Sequence, residues 1–316
     1  MGSLAYVIAL VQLPAAPRLW DISTTALGDG TMPASTPELV EAINRSPEPW
    51  QAHTPPLTLT RQQLRDMCGS PLPGSILRHP AFRQVSEEYI AAQLAAGVPA
   101  SFDARTHWPS CSPVIGHVRN QGAGCGDCWA YGATQALQDR YCIVTHKNDS
   151  VANLLSTEDT LACMDQFIGT PGQGCAGGDP QNAMVYAWRN GIVSGGDYGE
   201  KDHKTCLPFA VPPSGSQILT TRTVPTPKCP KPVPPSKMPP CDPIFARNNN
   251  KTWLTDKHKS GQPYFCNDKK SVACLQACLM SGPVETSMTV FGDIWSCAST
   301  FRILPRCVVT HSLLLA

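Results

Sequence analysis

A glycine-rich segment, residues 121–133, places Cys128 at the start of a predicted helix. Small and apolar residues recur at helical spacing from Trp129 to Ile143, so Cys128 occupies the beginning of that helix. There the unpaired backbone N–H groups and the positive end of the helix dipole favour a thiolate over a thiol. Gln121 lies upstream and can donate an amide hydrogen bond to a developing oxyanion. A nucleophilic thiolate beside an oxyanion donor indicates acyl transfer.

The composition limits both the partners and the compartment. The 316 residues carry 25 Lys+Arg against 24 Asp+Glu, so no surplus of positive charge exists for binding nucleic acid or an anionic membrane. A hydrophobic content of 42% can bury a sizeable core. The 15 cysteines are too many for a reduced cytosolic protein and predict an oxidising compartment in which most are paired. We therefore expect no nucleic-acid partner and no membrane partner.

The N-terminal residues fit this compartment. Residues 4–13 form an apolar stretch too short to span a bilayer, and residues 14–16 supply a small-residue cleavage pattern. This indicates a signal peptide over residues 1–16; because no Lys or Arg precedes the stretch, a buried N-terminal segment is the alternative. Sequons at Asn148 and Asn250 predict glycosylation of a secreted chain. The expected location is the secretory pathway, in a lysosome-like compartment or outside the cell.

Capping residues and helical periodicity predict a mainly helical first half. A capping box opens two of the helices and an Asp-Pro pair opens another. Gly97 closes the third helix and the character of the chain changes after it, so we place a domain boundary at residues 97–100. The helices predicted in this half cover residues 35–43, 60–68, 86–96, 129–143, 156–163 and 180–188.

The second half is predicted to contain an irregular loop and then the beginning of a sheet. Residues 206–243 hold scattered prolines and three cysteines without any periodicity, which indicates a loop held by disulfides. A helix is predicted over residues 271–279. Apolar and polar residues then alternate over residues 284–291, as in a half-buried strand.

With the cysteine loop at the head of a long buried helix, the chain resembles the papain-like cysteine proteases and, among them, the cathepsin B branch. The resemblance runs from about residue 36 to residue 291 and includes Trp50-Gln-Ala52 and Met67-Cys-Gly69 in the N-terminal part. Eight further segments follow in the family's order: Pro99-Ala-Ser-Phe-Asp-Ala-Arg105, Trp108-Pro-Ser-Cys111, Arg119-Asn-Gln-Gly122, Cys125-Gly-Asp-Cys-Trp129, Asp139-Arg-Tyr-Cys-Ile143, Leu155-Ser-Thr-Glu-Asp159, Gly174-Cys-Ala-Gly-Gly178 and Gly282-Pro-Val-Glu285.

The resemblance implies an α+β, papain-like two-domain fold with an intact helical left domain and an incomplete antiparallel sheet in the right domain. It implies a propeptide over residues 17–98, which lies across the cleft as an inhibitor, and a peptidase domain over residues 99–316 with a doubtful tail at 296–316. Polypeptides are the implied substrates. We expect a monomer that needs no metal and no cofactor.

The resemblance also assigns roles to individual residues. Cys128 becomes the nucleophile and Gln121 the oxyanion donor. Gly177 and Gly178 match the glycines whose backbone pairs with an extended substrate; a plain turn is the alternative for them. Four disulfides are implied: Cys111 with Cys142, Cys125 with Cys175, Cys163 with Cys229 and, more loosely, Cys206 with Cys241. The sequence leaves Cys266, Cys274, Cys278, Cys297 and Cys307 unassigned.

The region that matches the occluding loop of the cathepsin B branch differs from that branch in its histidines. Residues 206–241 contain no histidine, whereas the branch uses two adjacent histidines to hold the carboxylate of a substrate's C-terminus. We therefore expect an endopeptidase rather than a carboxydipeptidase.

Three further departures concern the catalytic residues. Residues 123–124 replace one position of the family pattern, which separates Gln121 from Cys128 by one residue more and displaces the oxyanion donor. Asp127 is expected to cap the helix and to raise the pKa of the nucleophile. The catalytic base has one candidate, His311, which is either that base or part of a tail unrelated to the family; His117 and His258 are interpreted as surface histidines.

Two rival interpretations stay open at the level of sequence. The pair Cys125 and Cys128 also fits a redox or zinc C-x-x-C motif, with Cys163 and Cys175 as further ligands. Alternatively, the chain is a catalytically impaired or truncated homologue that acts as a peptide-binding or regulatory protein.

Overall fold

The helix that begins at the cysteine loop forms the centre of the fold in this computed structural model. Ala130, Ala133 and Leu137 lie on its buried face, as the helical spacing predicts. They pack in the main core together with Met184 and Ile192. The structure describes residues 37–45, 67–70, 79–121, 124–146, 154–168, 174–212, 225–232, 237–266, 271–287 and 312–315.

Within these ranges the chain forms helices in its first part and short strands mainly in its second. Two short 3-10 turns, Pro109–Cys111 and Gly174–Ala176, complete the regular structure. The elements in chain order are α1 (Pro37–Arg45), β1 (Arg83–Gln84), α2 (Glu87–Ala96), α3 (Ala104–His107), α4 (Ser112–Ile115), α5 (Cys128–Thr145), α6 (Thr157–Ile168), α7 (Pro180–Arg189), α8 (Pro243–Asn249), β2 (Tyr264–Phe265), α9 (Ser271–Leu279), β3 (Glu285–Ser287) and β4 (Ser312–Leu315).

Side-chain caps explain where several predicted helices begin. The Ser86 side chain accepts the backbone N–H of Tyr89 at the start of α2, at 3.2 Å. Ser156 Oγ accepts the N–H of Asp159 at 2.9 Å in the first turn of α6. These contacts satisfy backbone donors that a helix terminus leaves unpaired. The helix predicted at residues 60–68 lies mostly outside the described residues.

The sheet contains four strands in the order β1-β2-β4-β3. Strand β4 is antiparallel to both β2 and β3, with Leu314 opposite Phe265 on one side and Glu285 on the other. The strands of the predicted right domain, β2, β3 and β4, are antiparallel as expected, whereas β1 lies upstream of that domain and pairs in parallel with β2 through Arg83 opposite Tyr264. The parallel pair arises because β1 comes from the segment upstream of residue 97, which lies along the edge of the sheet.

This upstream segment is integrated into the fold beyond its strand. Phe82 belongs to the main core, and Val85 and Ile90 pack in a second apolar cluster with Leu275 and Leu279 of α9. The upstream segment ends at residues 97–100, where Gly97 adopts a φ of 94° and the chain is largely exposed.

Disulfides hold the irregular parts of the chain. The structure joins Cys111 to Cys142, Cys125 to Cys175, Cys163 to Cys229 and Cys206 to Cys241, the four pairs implied by the resemblance. A fifth disulfide, Cys266 to Cys274, was not predicted. The described parts of residues 206–242 contain no helix or strand, in agreement with the predicted loop. No described helix combines the length and the apolar character that crossing a bilayer requires.

Candidate active site

The loop before α5 sets the position of Cys128. The Cys125–Cys175 disulfide fixes this loop to the 3-10 turn at Gly174–Ala176, and the Gly126 N–H donates to the Cys175 carbonyl at 2.8 Å. The fully buried Trp129 donates its indole N–H to the Gly174 carbonyl at 3.2 Å. The half-buried thiol of Cys128 therefore stands at the N-terminus of α5 beside a rigid wall.

The upstream segment occupies the space in front of this thiol. The Gly69 N–H donates to Cys128 Sγ at 3.3 Å, and Ser70 Oγ lies 3.8 Å from the same sulfur. The Gly178 N–H donates to the Gly69 carbonyl at 2.8 Å. Residues 67–70, here named the covering segment, thus bind as an extended peptide would. Their backbone partner lies on the opposite wall of the cleft.

Close backbone contacts explain why glycine stands at these positions. A Cβ on Gly69 would overlap the carbonyl oxygen of Gly126. Gly177 has a φ of 119°, and a Cβ there would lie 2.6 Å from the Gly69 carbonyl oxygen. A Cβ on Gly178 would overlap the Trp129 ring. The interpretation of Gly177 and Gly178 as a plain turn misses this contact with the segment in the cleft.

Burial dominates the electrostatics of the Cys128 thiol. It raises the pKa of the Cys128 thiol, while the hydrogen bonds from Gly69 and Ser70 act to lower it. The Asp127 carboxyl adds a smaller increase. The helix terminus alone predicts a thiolate, but desolvation under the covering segment outweighs it, so the sulfur is held as a thiol.

Asp127 does not act as the predicted helix cap. Its side chain makes no capping hydrogen bond, and its φ and ψ of −108° and 18° differ from the extended conformation of a capping residue. The residue is fully buried, and both carboxyl oxygens lack a hydrogen-bond partner among the described residues. Burial raises the pKa of Asp127 well above its ordinary value, and the Glu158 carboxyl raises it further.

Gln121 lies in the same cleft as Cys128, with its amide already bonded. Its Nε2 donates to the carbonyls of Met67 and Cys125, each at 3.0 Å. One of these acceptors, Met67, belongs to the segment that covers Cys128. Of residues 123–124, where the additional residue of this loop falls, residue 123 lies outside the described residues. The role of Gln121 as oxyanion donor stays a prediction.

The histidines give no base for Cys128 within the described part of the chain. None of the residues that shift the pKa of Cys128 is a histidine, and His311 lies outside the described residues. His117 Nε2 instead contacts Asp197 Oδ2 at 2.6 Å. His258 is not a surface residue as predicted, because its ring is 16% exposed and contacts the Tyr141 ring at 4.8 Å.

The rival zinc or redox motif is excluded by the disulfides. Cys125 is joined to Cys175, and Cys163 to Cys229, so three of the four proposed thiol ligands are oxidised. A zinc site needs deprotonated thiols, which only Cys128 of this set retains.

Comparisons with known proteins agree with this geometry. A family model described as papain family cysteine protease matches residues 98–301. Cathepsin B-like cysteine proteinase 5 of Caenorhabditis elegans is 36% identical over 211 residues, which cover 66% of this chain and 58% of that protein. Cathepsin B-like cysteine proteinase 4 of the same organism is 37% identical over 63% of this chain and 55% of its own length.

A solved structure shares the fold. The structure titled proCathepsin B S9 from Trypanosoma congolense superposes with a TM-score of 0.58 at 24% identity, covering 84% of this chain and 75% of that one. The chain spans less than three fifths of the length of the two curated relatives. The family match extends over more than half of the chain and includes the cysteine loop, the cleft glycines and strands β2 and β3. The chain therefore belongs to the papain family of cysteine proteases.

Proposed function

We propose that the chain is the zymogen of a cathepsin B-like cysteine peptidase, with residues 17–98 as its propeptide and residues 99–316 as its peptidase domain. The observation that carries this proposal is the contact of residues 67–70 with the cleft. The Gly69 backbone N–H donates to Cys128 Sγ at 3.3 Å, and the N–H of the cleft residue Gly178 donates to the Gly69 carbonyl at 2.8 Å. The propeptide is thus the first polypeptide ligand of the site.

The residues support acyl transfer through a covalent thioester. The Cys128 sulfur attacks the carbonyl carbon of the scissile bond, and the carbonyl oxygen becomes an oxyanion. The Gln121 amide, freed from the Met67 carbonyl, and the first backbone N–H groups of α5 stabilise that charge. The amine leaves with a proton, and water then hydrolyses the thioester. We assign the proton transfer to His311.

Departure of residues 67–70 changes the state of the nucleophile. The segment contributes to the burial that raises the pKa of Cys128, and it also supplies the two hydrogen bonds that act against that increase. When it leaves, water reaches the sulfur and the helix terminus favours the thiolate. The exposed connection at residues 97–100 is the proposed cleavage site for activation.

We propose an endopeptidase that acts on extended polypeptides. Because residues 206–241 lack histidine, this loop offers no imidazolium to pair with a substrate's terminal carboxylate. The proposed location is a lysosome-like or extracellular one, reached by the signal peptide over residues 1–16. Asn148 and Asn250 are the proposed glycosylation sites.

The function is tested on full-length protein cut at residues 97–100 by an added protease. Internally quenched peptides with a free or an amidated C-terminus are the substrates. We expect cleavage of both at similar kcat/KM, loss of activity in Cys128→Ser, and full activity in Cys278→Ser, which changes a buried thiol away from the cleft. Cleavage restricted to substrates with a free C-terminus contradicts the endopeptidase assignment. Activity in Cys128→Ser contradicts the assignment of Cys128 as the nucleophile.

The second candidate function is a peptide-binding or regulatory homologue. It is favoured by one observation, that the cleft binds an extended segment while no described histidine affects Cys128. An epoxide that alkylates activated cysteines separates the two functions. Rapid alkylation of Cys128 that slows about a hundredfold or more in His311→Ala supports the peptidase. Slow alkylation that is unchanged in this variant supports the binding protein.

A further inference from the structure

Three cysteines cluster where the sheet meets α9, outside the active site. Cys266 directly follows β2, and Cys274 and Cys278 lie one helical turn apart on α9. Their sulfur atoms all lie within 4.8 Å of one another and all three residues are buried. Cys266 and Cys274 form a disulfide, whereas Cys278 keeps its thiol. A thiol next to a disulfide is the arrangement that thiol–disulfide exchange requires.

Arg140 of α5 supplies a positive charge beside this thiol. Its Nη2 donates to the Cys278 carbonyl at 3.3 Å and to the Gly282 carbonyl at 2.9 Å, while Nε donates to the Pro283 carbonyl at 2.7 Å. These bonds hold the guanidinium at the end of α9. Burial raises the pKa of the Cys278 thiol to about 11, whereas the charge of Arg140 acts to lower it. Cations of this kind promote thiolate formation.

Helix α2 of the proposed propeptide contributes to the burial that keeps the Cys278 thiol protonated. Val85 and Ile90 lie in the same apolar cluster as the three cysteines, and Tyr89 donates its hydroxyl to the Ala277 carbonyl at 3.5 Å. Removal of α2 takes away this apolar cover. Arg140 belongs to α5 and stays in place, so the balance shifts toward the thiolate.

We propose that Cys266, Cys274 and Cys278 form a disulfide-exchange site that is inactive while α2 is bound and rearranges when α2 leaves. The Cys278 thiolate attacks Cys266 Sγ, the bond between Cys266 and Cys274 breaks, and a Cys266–Cys278 disulfide forms. Cys274 leaves as a thiolate and takes up the proton that Cys278 released. No electrons are gained or lost, so the step needs no oxidant.

Helix geometry decides which sulfur is attacked. Side chains four residues apart on a helix have Cβ atoms about 5–6 Å apart. A disulfide needs Cβ atoms roughly 3.5–4.5 Å apart, so Cys274 and Cys278 cannot pair without distorting α9. Attack on Cys266 avoids that strain. The exchange therefore moves the attachment of the sheet along α9 by one helical turn, on the face where α2 binds.

Two variants of the full-length zymogen test whether the alternative disulfide fits the fold. In Cys274→Ser we expect Cys266 and Cys278 to form a disulfide, so that neither is alkylated by N-ethylmaleimide in non-reducing peptide mapping. In Cys266→Ser we expect Cys274 and Cys278 to stay as thiols and both to be alkylated after denaturation. Two alkylated thiols in Cys274→Ser overturn the proposal, even if every other expectation is met.

The dependence on α2 is tested by weakening its contact with Ile90→Ala. We expect a Cys266–Cys278 disulfide and an alkylated Cys274 to accumulate, about three- to fourfold faster for each unit by which the pKa of Cys278 falls, because a less basic thiolate is also less nucleophilic. The double variant Ile90→Ala, Cys278→Ser lacks the attacking thiol and should therefore keep the Cys266–Cys274 disulfide. An unchanged Cys266–Cys274 disulfide in folded Ile90→Ala, with Cys278 alkylated, overturns the proposal. The Cys111–Cys142 and Cys125–Cys175 pairs report correct folding, and if Ile90→Ala lacks them, Cys274→Ser decides alone.

These experiments do not depend on peptidase activity. The proposal rests on the proposed function only in naming propeptide release as the natural event that removes α2. An inactive chain that still rearranges its disulfide in Ile90→Ala would separate the failure of one proposal from the failure of the other.

Discussion

Asp127 places a buried carboxyl directly before Cys128, in a loop whose preceding backbone is fixed to Cys175. The Cys125–Cys175 disulfide and the Gly126 hydrogen bond hold that backbone away from the capping conformation. A capping rule based on residue type assumes that the chain is free to adopt extended φ and ψ. The sequence therefore predicts the position of Cys128 correctly and the role of Asp127 wrongly.

We predict that Asp127→Ser stabilises the protein. The substitution removes a buried carboxyl that has no hydrogen-bond partner among the described residues, and such a group costs about 1–3 kcal/mol. Urea unfolding at neutral pH should show a higher free energy of unfolding for the variant.

The matched comparison for this substitution is Asp179→Ala. The Asp179 carboxylate accepts the Gln181 N–H at 2.8 Å at the start of α7. Its loss should destabilise the protein by about 1 kcal/mol. A lower stability for Asp127→Ser would mean that its carboxyl is satisfied in solution.

At the scale of elements, the sequence predicts long helices well and short segments poorly. Helices α2, α6 and α7 begin beside the capping residues that predict them. Strands β1 and β2 have two residues each and are defined by their partners, which no local pattern contains. Helix α8 was missed although Asp242 precedes a proline and accepts the Phe245 N–H at 2.9 Å, the same signal that predicts α7.

The covering segment, residues 67–70, is expected to be displaced from the cleft by a single substitution. Gly69→Ala adds a methyl group that overlaps the Gly126 carbonyl, which the adjacent disulfide holds in place. We expect residues 67–70 to leave the cleft, because this segment is held there by a few hydrogen bonds. Iodoacetamide should then alkylate Cys128 at least about tenfold faster than in the parent chain, since a segment with few contacts opens at low free-energy cost.

Gly261→Ala is the control for this experiment. A Cβ at Gly261 meets no atom within 4 Å, so the alkylation rate should equal that of the parent chain. If Gly69→Ala also leaves the rate unchanged, residues 67–70 do not control access to Cys128.

At the scale of the whole molecule, several carboxyls are buried as the chain closes around its core. Burial raises the pKa of Asp127 and Asp139 well above their ordinary range, that of Glu158 to about 7 and that of Glu285 to about 8. Residue type does not indicate this, since Asp and Glu are mostly exposed in folded proteins. Only the packing of α5, α6 and β3 against one another makes them buried.

These groups predict how stability depends on pH. A carboxyl with a raised pKa in the folded state stays protonated there while the unfolded chain ionises. Its contribution is complete below the unfolded pKa and is lost as the pH rises through the folded pKa. For Glu285 the window runs from 4.5, the ordinary value, to about 8. The protein should therefore be more stable at mildly acidic pH than at neutral pH.

Glu285→Gln isolates this effect, because glutamine keeps the shape of the protonated carboxyl and cannot ionise. The difference in free energy of unfolding between the variant and the parent chain should be close to zero at acidic pH and should grow to at most about 5 kcal/mol in favour of the variant at alkaline pH. Urea unfolding at a series of pH values measures it. Titrating groups that do not interact with Glu285 cancel in this difference. A constant difference for Glu285→Gln would show that Glu285 reaches water in the folded protein.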